Sequence, residues 1–141
     1  MAEYATLHED NCVKIDEGVP LPSAALVGCA VITGVGSVFN TAQLEPGSRA
    51  AVFGIGGVGL NAIQGCVTAG AEMVIAVDTN EAKLEMAKEF GATHTININE
   101  VEDVSKAIKK MTAGGVDYAF ECVGNGKVVE QAYKALGRAG T

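Results

Sequence analysis

The fold is decided by residues 50–59, which read AAVFGIGGVG in one-letter code. A short apolar run leads directly into Gly54, Gly56 and Gly59, which match the pattern G-x-G-x-x-G. This pattern is typical of a strand that turns tightly into a helix whose first N–H groups bind a diphosphate. In that arrangement Gly54 permits the turn, Gly56 lets the backbone approach the ligand, and Gly59 lets the helix pack closely on the strand.

An acidic residue follows the glycine motif at the spacing expected for a dinucleotide site. Asp78 comes directly after the apolar run 73–77 and stands 19 residues after Gly59, close to the usual interval of about 20. A carboxylate there accepts hydrogen bonds from the hydroxyls of an adenosine ribose and repels a 2′-phosphate. The next two residues, Thr79 and Asn80, supply no cation that would offset this repulsion.

Lys83 lies one turn into the helix that follows Asp78 and is within reach of the same ribose. A single lysine at such a position is as often an ordinary solvated residue. Two further interpretations stay open from the residues alone. The glycine motif is also compatible with a turn that binds nothing, and Asp78 with a solvated loop aspartate.

Apolar runs and helical spacings alternate after residue 49. Strands are predicted at 50–53, 73–77, 95–98 and 116–123, and helices at 58–69 and around Leu84, Ile108 and Ala132. This alternation predicts an α/β fold with a Rossmann-type, doubly wound parallel sheet. About four of its usual six strands are visible, and the chain stops where a fifth would begin. We therefore expect a truncated sheet cut from a longer protein.

The first 48 residues follow a different pattern. Residues 4–8 and 12–16 alternate in hydrophobicity around a turn and predict a β-hairpin. Ser23 is a candidate cap of an apolar helix interrupted by glycines, and residues 40–48 predict a turn.

The composition excludes several functional classes. A formal net charge of −7 opposes binding to nucleic acid or to an anionic membrane. No apolar run is expected to reach the roughly 18 residues of a membrane span. The four cysteines contain no C-x-x-C pair, which argues against a zinc knuckle or a disulfide framework. The N-terminus lacks the features of a signal peptide, so a cytoplasmic location is expected.

Several motifs together resemble those of one family. They are Gly28-Cys29, Thr33-Gly34, the glycine motif, Asp78 with Lys83, and the run Phe120-Glu121-Cys122-Val123-Gly124. In this register nearly the whole chain resembles the zinc-dependent alcohol dehydrogenases of the medium-chain dehydrogenase superfamily. The resemblance implies that residues 1–24 are the end of a GroES-like catalytic domain with its connector. Residues 25–141 would be an NAD-binding Rossmann domain, incomplete at its C-terminus.

The resemblance also implies roles for single residues. Cys29 would be one of three protein ligands of a catalytic zinc, although a lone cysteine in an apolar helix is usually a small buried hydrophobe. Thr33 and Val58 would lie against the nicotinamide ring, and Val123 would line the coenzyme cleft. The coenzyme-binding residues predicted in this way are Thr33, Gly54, Gly56, Gly57, Val58, Gly59, Asp78, Lys83 and Val123.

The implied activity is zinc-assisted hydride transfer between an alcohol or aldehyde and the nicotinamide of NAD(H) in a parent enzyme, which is expected to be a homo-oligomer. The other zinc ligands, the proton relay and the structural zinc lobe of the family are missing, and Ala30 replaces a common glycine. We therefore expect this chain to be inactive alone. In the family's strand order, 3-2-1-4, residues 116–123 lie at an edge of the sheet, which favours self-association.

Three alternatives are weaker. A regulatory module that senses NAD would need neither Cys29 nor the N-terminal residues. A zinc-free quinone reductase relative would not be expected to keep Cys29, and such relatives favour a phosphorylated coenzyme that Asp78 disfavours. A methyltransferase with a similar glycine loop would lack the long register of matches.

Overall fold

The described residues, 3–141, form a parallel four-stranded sheet between two layers of helices, as a computed structural model shows. The strands are β1 (Arg49–Phe53), β2 (Met73–Asp78), β3 (His94–Asn97) and β4 (Tyr118–Glu121). Their order across the sheet is β3-β2-β1-β4, and every pair is parallel. The predicted doubly wound α/β arrangement and its strand order are thereby confirmed.

The helices alternate with the strands as predicted. They are α1 (Leu21–Ala42), α2 (Gly57–Thr68), α3 (Glu81–Glu89), α4 (Val104–Met111) and α5 (Gly126–Ala135), with short 3-10 turns at Glu9–Asn11 and Ile98–Glu100. Asn80 caps α3, and its side-chain oxygen accepts a hydrogen bond from the N–H of Ala82 at 2.9 Å. Asp103 and Asn125 cap α4 and α5 in the same way. These caps satisfy N–H groups that have no partner within the helix and so fix where each helix begins.

The sheet separates two hydrophobic cores. Successive strand residues point to opposite faces, so Val52 lies in one core and Phe53 in the other. Helices α2 and α3 cover the first face through Ile63 and Leu84, whereas α4 covers the second through Ile108. Because both faces are buried, β1 and β2 read as continuous apolar runs rather than as alternating ones.

Helix α1 differs from its prediction at both ends. It begins at Leu21, with Pro20 as the N-cap, and is not capped by Ser23. Pro22 fits the first turn, because no intrahelical partner is needed for its missing N–H. It also continues through Gly28 and Gly34, and residues 27–31 and 37–42 are π-helical. The predicted domain boundary between residues 24 and 25 falls inside this helix, and the division itself stays a prediction.

Helix α1 is long and apolar. It spans 22 residues, and an 18-residue window within it has a mean hydropathy of 1.8, with 11% of that window buried. By length and composition it is able to cross a membrane, so the expectation that no apolar run approaches this length is wrong. Core helices of soluble proteins and signal sequences pass the same test, so this property alone assigns no membrane role.

Helix α1 packs closely on α2 at one point. A Cβ on Gly34 would lie 2.5 Å from the carbonyl oxygen of Val58, 2.6 Å from Cβ of Asn61 and 2.8 Å from the nitrogen of Ala62. Gly34 is itself buried. The absence of a side chain at this position therefore sets how closely the two helices approach.

The predicted N-terminal hairpin is wrong. Residues 3–20 contain no strand, and residues 9–11 instead form a 3-10 turn in which Cys12 N–H donates to the carbonyl of Glu9. Tyr4 is 91% and Val13 is 89% exposed, so this segment buries little apolar surface that would offset the cost of ordering it. Met1 and Ala2, the first residues of the predicted remnant 1–24, lie outside the described residues.

The outer edge of β4 is less open than predicted. The N–H of Ala119 donates to the carbonyl of Thr141, whose own N–H donates to the carbonyl of Asp117, both at 2.9 Å. Val116 forms a parallel bridge with Leu136 rather than belonging to β4. The segment that follows α5 therefore occupies part of the edge through which self-association was expected.

At the amino ends of the strands, an ion pair joins Arg49, the first residue of β1, to Asp117, the residue before β4. Oδ2 of Asp117 accepts from the backbone N–H of Arg49 at 2.8 Å and from its Nε at 3.2 Å. The Arg49 guanidinium also donates to the carbonyl of Thr112 at 2.6 Å. Partial burial alone would raise the pKa of Asp117. The hydrogen bonds and charge of Arg49 outweigh that effect and lower the pKa below its ordinary value.

The Gly34 contact predicts a steric penalty. Gly34→Ala should lower the free energy of unfolding by about 1–3 kcal/mol, because backbone atoms of α2 cannot move away from the new methyl group. Gly36→Ala is the matched control, since its nearest neighbour would be Asn40 Nδ2 at 3.7 Å. That variant should be unchanged or more stable, because alanine favours helix. Urea denaturation followed by circular dichroism measures both, and equal stabilities would contradict the close packing.

The Asp117 ion pair predicts a loss of stability in acid. Because the pKa of Asp117 is lowered by folding, its contribution is complete above the unfolded pKa of about 4 and is lost as the pH falls through the lower folded pKa. Asp117→Asn should therefore lose less stability than the wild type between pH 6 and pH 3. Asp16→Asn, in the exposed N-terminal segment, is the control and should follow the wild-type curve. Parallel curves for all three proteins would refute the role of the pair.

Candidate functional site at the carboxyl edge of the sheet

The glycine motif forms the connection between β1 and α2. Gly54 has a φ of +89°, in the left-handed region that glycine adopts readily, and its N–H donates to the carbonyl of Val77 at 2.8 Å. A Cβ on Gly59 would collide with the carbonyl oxygen of Gly54. Helix and loop therefore meet backbone to backbone, and the fold itself requires glycine at both positions.

Gly56 and Gly57 lie at the start of α2 and are not required by packing in this way. A Cβ on Gly56 would meet no atom within 4 Å, and the φ of this residue, −97°, is open to any amino acid. A Cβ on Gly57 would meet only Cβ of Ala30, at 3.4 Å. The first helical bond runs from Leu60 N–H to the carbonyl of Gly56, so the N–H groups before Leu60 have no partner within the helix. An anion that approaches the open side of Gly56 would meet these donors.

Asp78 ends β2 beside the glycine loop and is 8% exposed. Its Oδ2 accepts a hydrogen bond from the N–H of Ile55 at 2.7 Å. Its Oδ1 accepts from the N–H groups of Thr79 at 2.8 Å and Asn80 at 3.0 Å. The carboxylate thus ties the glycine loop to the end of β2, a structural role that the sequence argument missed. An ionised carboxylate has about four acceptor positions, so one is left for a ligand hydroxyl.

The surroundings of Asp78 stabilise its ionised form. Burial alone would raise the pKa of this carboxyl, but the N–H donors and the Lys83 ammonium outweigh it and lower the pKa below its ordinary value. Nζ of Lys83 lies 3.7 Å from Oδ2 of Asp78, and the lysine side chain is about half exposed. Lys83 therefore lies beside Asp78, and its contact with a ribose stays a prediction.

A crevice of about 130 Å³ opens between the ends of β1, β2 and β4. The residues that line it include Gly54, Asp78, Thr79, Ile98, Val123 and Val128. Val123 Cγ2 fills the space that a side chain on Gly54 would need. In the order β3-β2-β1-β4 the crevice lies where the crossover direction reverses, which is where open α/β sheets bind their ligands.

Glu121 entered the sequence argument only as part of a run that resembles the family, and no role was assigned to it. Its carboxylate accepts hydrogen bonds from the backbone N–H groups of Val123 and Gly124. At the neighbouring rim, Asn99 Nδ2 donates to the carbonyl of Thr79 at 3.2 Å. An acidic residue at a strand end, two or three positions before a glycine, is the signal that would have drawn attention to Glu121.

Helix α1 passes over the start of α2. The Gly34 contact places the turn that contains Thr33 against the first turn of α2, which contains Val58. One turn earlier, Ala30 is the neighbour of Gly57, and Cys29 is exposed beside it. Thr33, Val58 and Cys29 are therefore brought to the same end of the sheet as the glycine loop.

A zinc site is not complete in the described residues. They contain no group of three or more His, Cys, Asp or Glu side chains that could hold a metal ion. His94 lies on β3, where its Nδ1 is 2.9 Å from Oγ1 of Thr93, and His8 lies next to Asp10 in the N-terminal segment. Cys29 alone would supply one thiolate where a catalytic zinc needs three protein ligands, so its ligand role stays a prediction.

Comparison with known proteins identifies the family of this chain. Residues 57–141 match the family model described as zinc-binding dehydrogenase. The chain is 44% identical to an alcohol dehydrogenase class-3 from Cereibacter sphaeroides, in an alignment that covers 97% of this chain and 38% of the relative. The chain thus spans well under half the length of this relative.

Solved structures show the same relationship. A benzyl alcohol dehydrogenase from Acinetobacter calcoaceticus superposes with a TM-score of 0.88 at 40% identity, over 94% of this chain and 36% of that one. An alcohol dehydrogenase zinc-binding domain protein from Burkholderia ambifaria superposes with a TM-score of 0.83 at 43% identity, over 89% and 34%. With the family match covering more than half of its residues, this chain belongs to the zinc-binding dehydrogenase family.

Proposed function

We propose that this chain binds NAD(H) and forms the coenzyme-binding part of a zinc-dependent alcohol dehydrogenase. That enzyme would transfer a hydride between a small alcohol or aldehyde and the nicotinamide. The relatives named above are alcohol dehydrogenases, and this chain covers only a little over a third of their length. A cytoplasmic location and a homo-oligomeric parent enzyme are proposals that rest on the sequence alone.

The single observation that carries the proposal is the open space at Gly56. The chain's own packing explains glycine at positions 54 and 59 but not at 56, where a Cβ would meet nothing. A side chain there would occupy open space beside the first residues of α2. Glycine at this position therefore favours a ligand that approaches the backbone closely, as a diphosphate does at a helix N-terminus.

The remaining acceptor position of Asp78 supports a contact with the adenosine ribose of the coenzyme. With three N–H donors already bound, its carboxylate can still accept from a ribose hydroxyl, and the hydrogen bonds hold it ionised. A phosphate in place of the 2′-hydroxyl would bring negative charge against this carboxylate. The nearby Lys83 already faces Asp78 at 3.7 Å, which offsets only part of that repulsion.

The chain's residues bind and orient the coenzyme in this proposal. The first turn of α2 binds the diphosphate, Asp78 fixes the adenosine ribose, and Val123 closes one wall of the crevice. Thr33 and Val58 would orient the nicotinamide ring from α1 and α2. NAD supplies the hydride acceptor when it is bound. The zinc chemistry of the family needs ligands beyond Cys29, so no step is assigned to metal in this chain.

The environment of Asp78 predicts a preference for NADH over NADPH. We expect NADPH to bind about a hundredfold more weakly, because close like charges at a partly exposed site cost a few kcal/mol. Asp78→Asn should narrow this ratio and also weaken NADH binding, since one amide oxygen cannot replace all the bonds of the carboxylate. Fluorescence titration with both coenzymes measures the two constants.

Glu89→Gln is the matched control for the Asp78 variant. It removes one carboxylate charge from an exposed position in the last turn of α3, far from the N-terminus of that helix. Both dissociation constants should equal those of the wild type. Equal or tighter binding of NADPH by the wild type would contradict the assigned role of Asp78. A chain that binds neither coenzyme would contradict the proposed function.

The lone Cys29 predicts weak metal binding. After dialysis against a weak chelator, the 141-residue chain should hold far less than one zinc per chain, because affinity falls steeply as ligands are removed. Atomic absorption measures the zinc content, with Cys29→Ser as the control, which should give the same low value. Stoichiometric zinc that is lost in Cys29→Ser, or alcohol-dependent formation of NADH, would refute this prediction.

A further inference from the structure

The loop that follows β4 is held by the strand's own last side chain. Oε1 of Glu121 accepts hydrogen bonds from the backbone N–H groups of Val123 and Gly124, both at 2.9 Å. Oε2 lies 3.1 Å from the same N–H of Gly124. Two successive N–H groups therefore converge on one carboxylate.

These bonds begin where the sheet ladder stops. Cys122 N–H makes the last bond to β1, donating to the carbonyl of Phe53 at 2.8 Å. The chain then leaves the sheet, and Gly124 has a φ of +78°. No ladder bond is described for the N–H groups of Val123 and Gly124 in residues 3–141, and the Glu121 carboxylate provides their partner. Charged acceptors make the stronger class of hydrogen bond.

The position of Val123 matters because it touches the glycine loop. Its Cγ2 occupies the space that a Cβ on Gly54 would need, so loop and glycine motif are in direct contact. Val123 is 54% exposed, and its side chain forms part of the crevice wall with Asp78 and Ile98. Because more than half of Val123 is exposed, packing holds it only in part, and the bond from its backbone N–H to Glu121 restrains it further.

We propose that Glu121 is a positioning residue of the coenzyme cleft, which holds the loop of Val123 and Gly124 against the glycine motif. The inference rests on the proposed coenzyme function. Glu121 acts through Val123: its carboxylate is taken up by backbone N–H groups, and the wall that a ligand meets is the valine side chain.

Amide hydrogen exchange in the protein without coenzyme tests whether Glu121 restrains the backbone of Val123 and Gly124. Glu121→Ala should speed exchange of the Val123 and Gly124 amides by about tenfold or more, because both lose a charged acceptor. Glu121→Gln should stay close to the wild type, since its amide oxygen can still accept both bonds. Glu130→Ala, an exposed carboxylate on α5 paired with Lys134, is the matched control and should change neither amide. Wild-type exchange in Glu121→Ala would overturn the proposal.

NADH titration tests the coupling to the cleft. Glu121→Ala should raise the dissociation constant about tenfold, whereas Glu121→Gln and Glu130→Ala should change it less than about threefold. In the double variant Glu121→Ala/Val123→Ala, the loss should be clearly smaller than the product of the two single losses, because both changes act on one contact. A loss of NADH affinity equal to that product would show that Glu121 does not act through Val123.

The melting temperature separates positioning from general destabilisation. All variants should melt within a few degrees of the wild type, because the loop lies outside both cores. Weaker binding that is not rescued in Glu121→Gln and that tracks a lower melting temperature would overturn the positioning role. A wild-type chain that binds no NADH would instead overturn the proposed function. The exchange measurement would still show whether Glu121 holds the loop.

Discussion

The structure depends on one backbone contact, in which the carbonyl oxygen of Gly54 lies where a side chain on residue 59 would have to be. Because residue 59 is glycine, α2 can begin directly at the end of β1 and lie against it. Its first N–H groups, which have no partner within the helix, then lie at the carboxyl edge of the sheet. A longer connection would move those donors away from Asp78, Val123 and α1, and the site would not assemble.

A second close approach fixes the other side of the site. Gly34 brings α1 onto the first turns of α2, and Gly65 of α2 lies against Val38 of α1 further along. Two small residues, one from each helix, therefore set the crossing point. This packing sets the positions of Thr33 and Cys29, which are distant from the glycine motif in sequence but lie beside its helix.

Most of the sheet could be predicted from the sequence because its signals are local. The strands are buried on both faces and read as apolar runs, and the glycine motif and Asp78 mark one strand–helix–strand unit. The failures occur where a long-range partner decides the structure. The alternation of residues 4–8 and 12–16 predicted a hairpin, but residues 3–20 contain no strand. The predicted strand 116–123 is observed only over Tyr118–Glu121, and at its start Val116 pairs with Leu136 instead.

The sequence predicted which residues of the site contact a ligand. It could not show the hydrogen bonds that these residues make with one another. Three of the roughly four acceptor positions of Asp78 are used by backbone N–H groups, one of them in the glycine loop itself. Asp78, which is expected to set the preference for NAD(H) over NADP(H), thus also holds the glycine loop through Ile55. A substitution of Asp78 would change the coenzyme preference and the glycine loop together, because one carboxylate serves both. Coenzyme preference in this fold is therefore adjusted with least structural cost at neighbours of Asp78, such as Thr79, whose side chain carries none of those bonds.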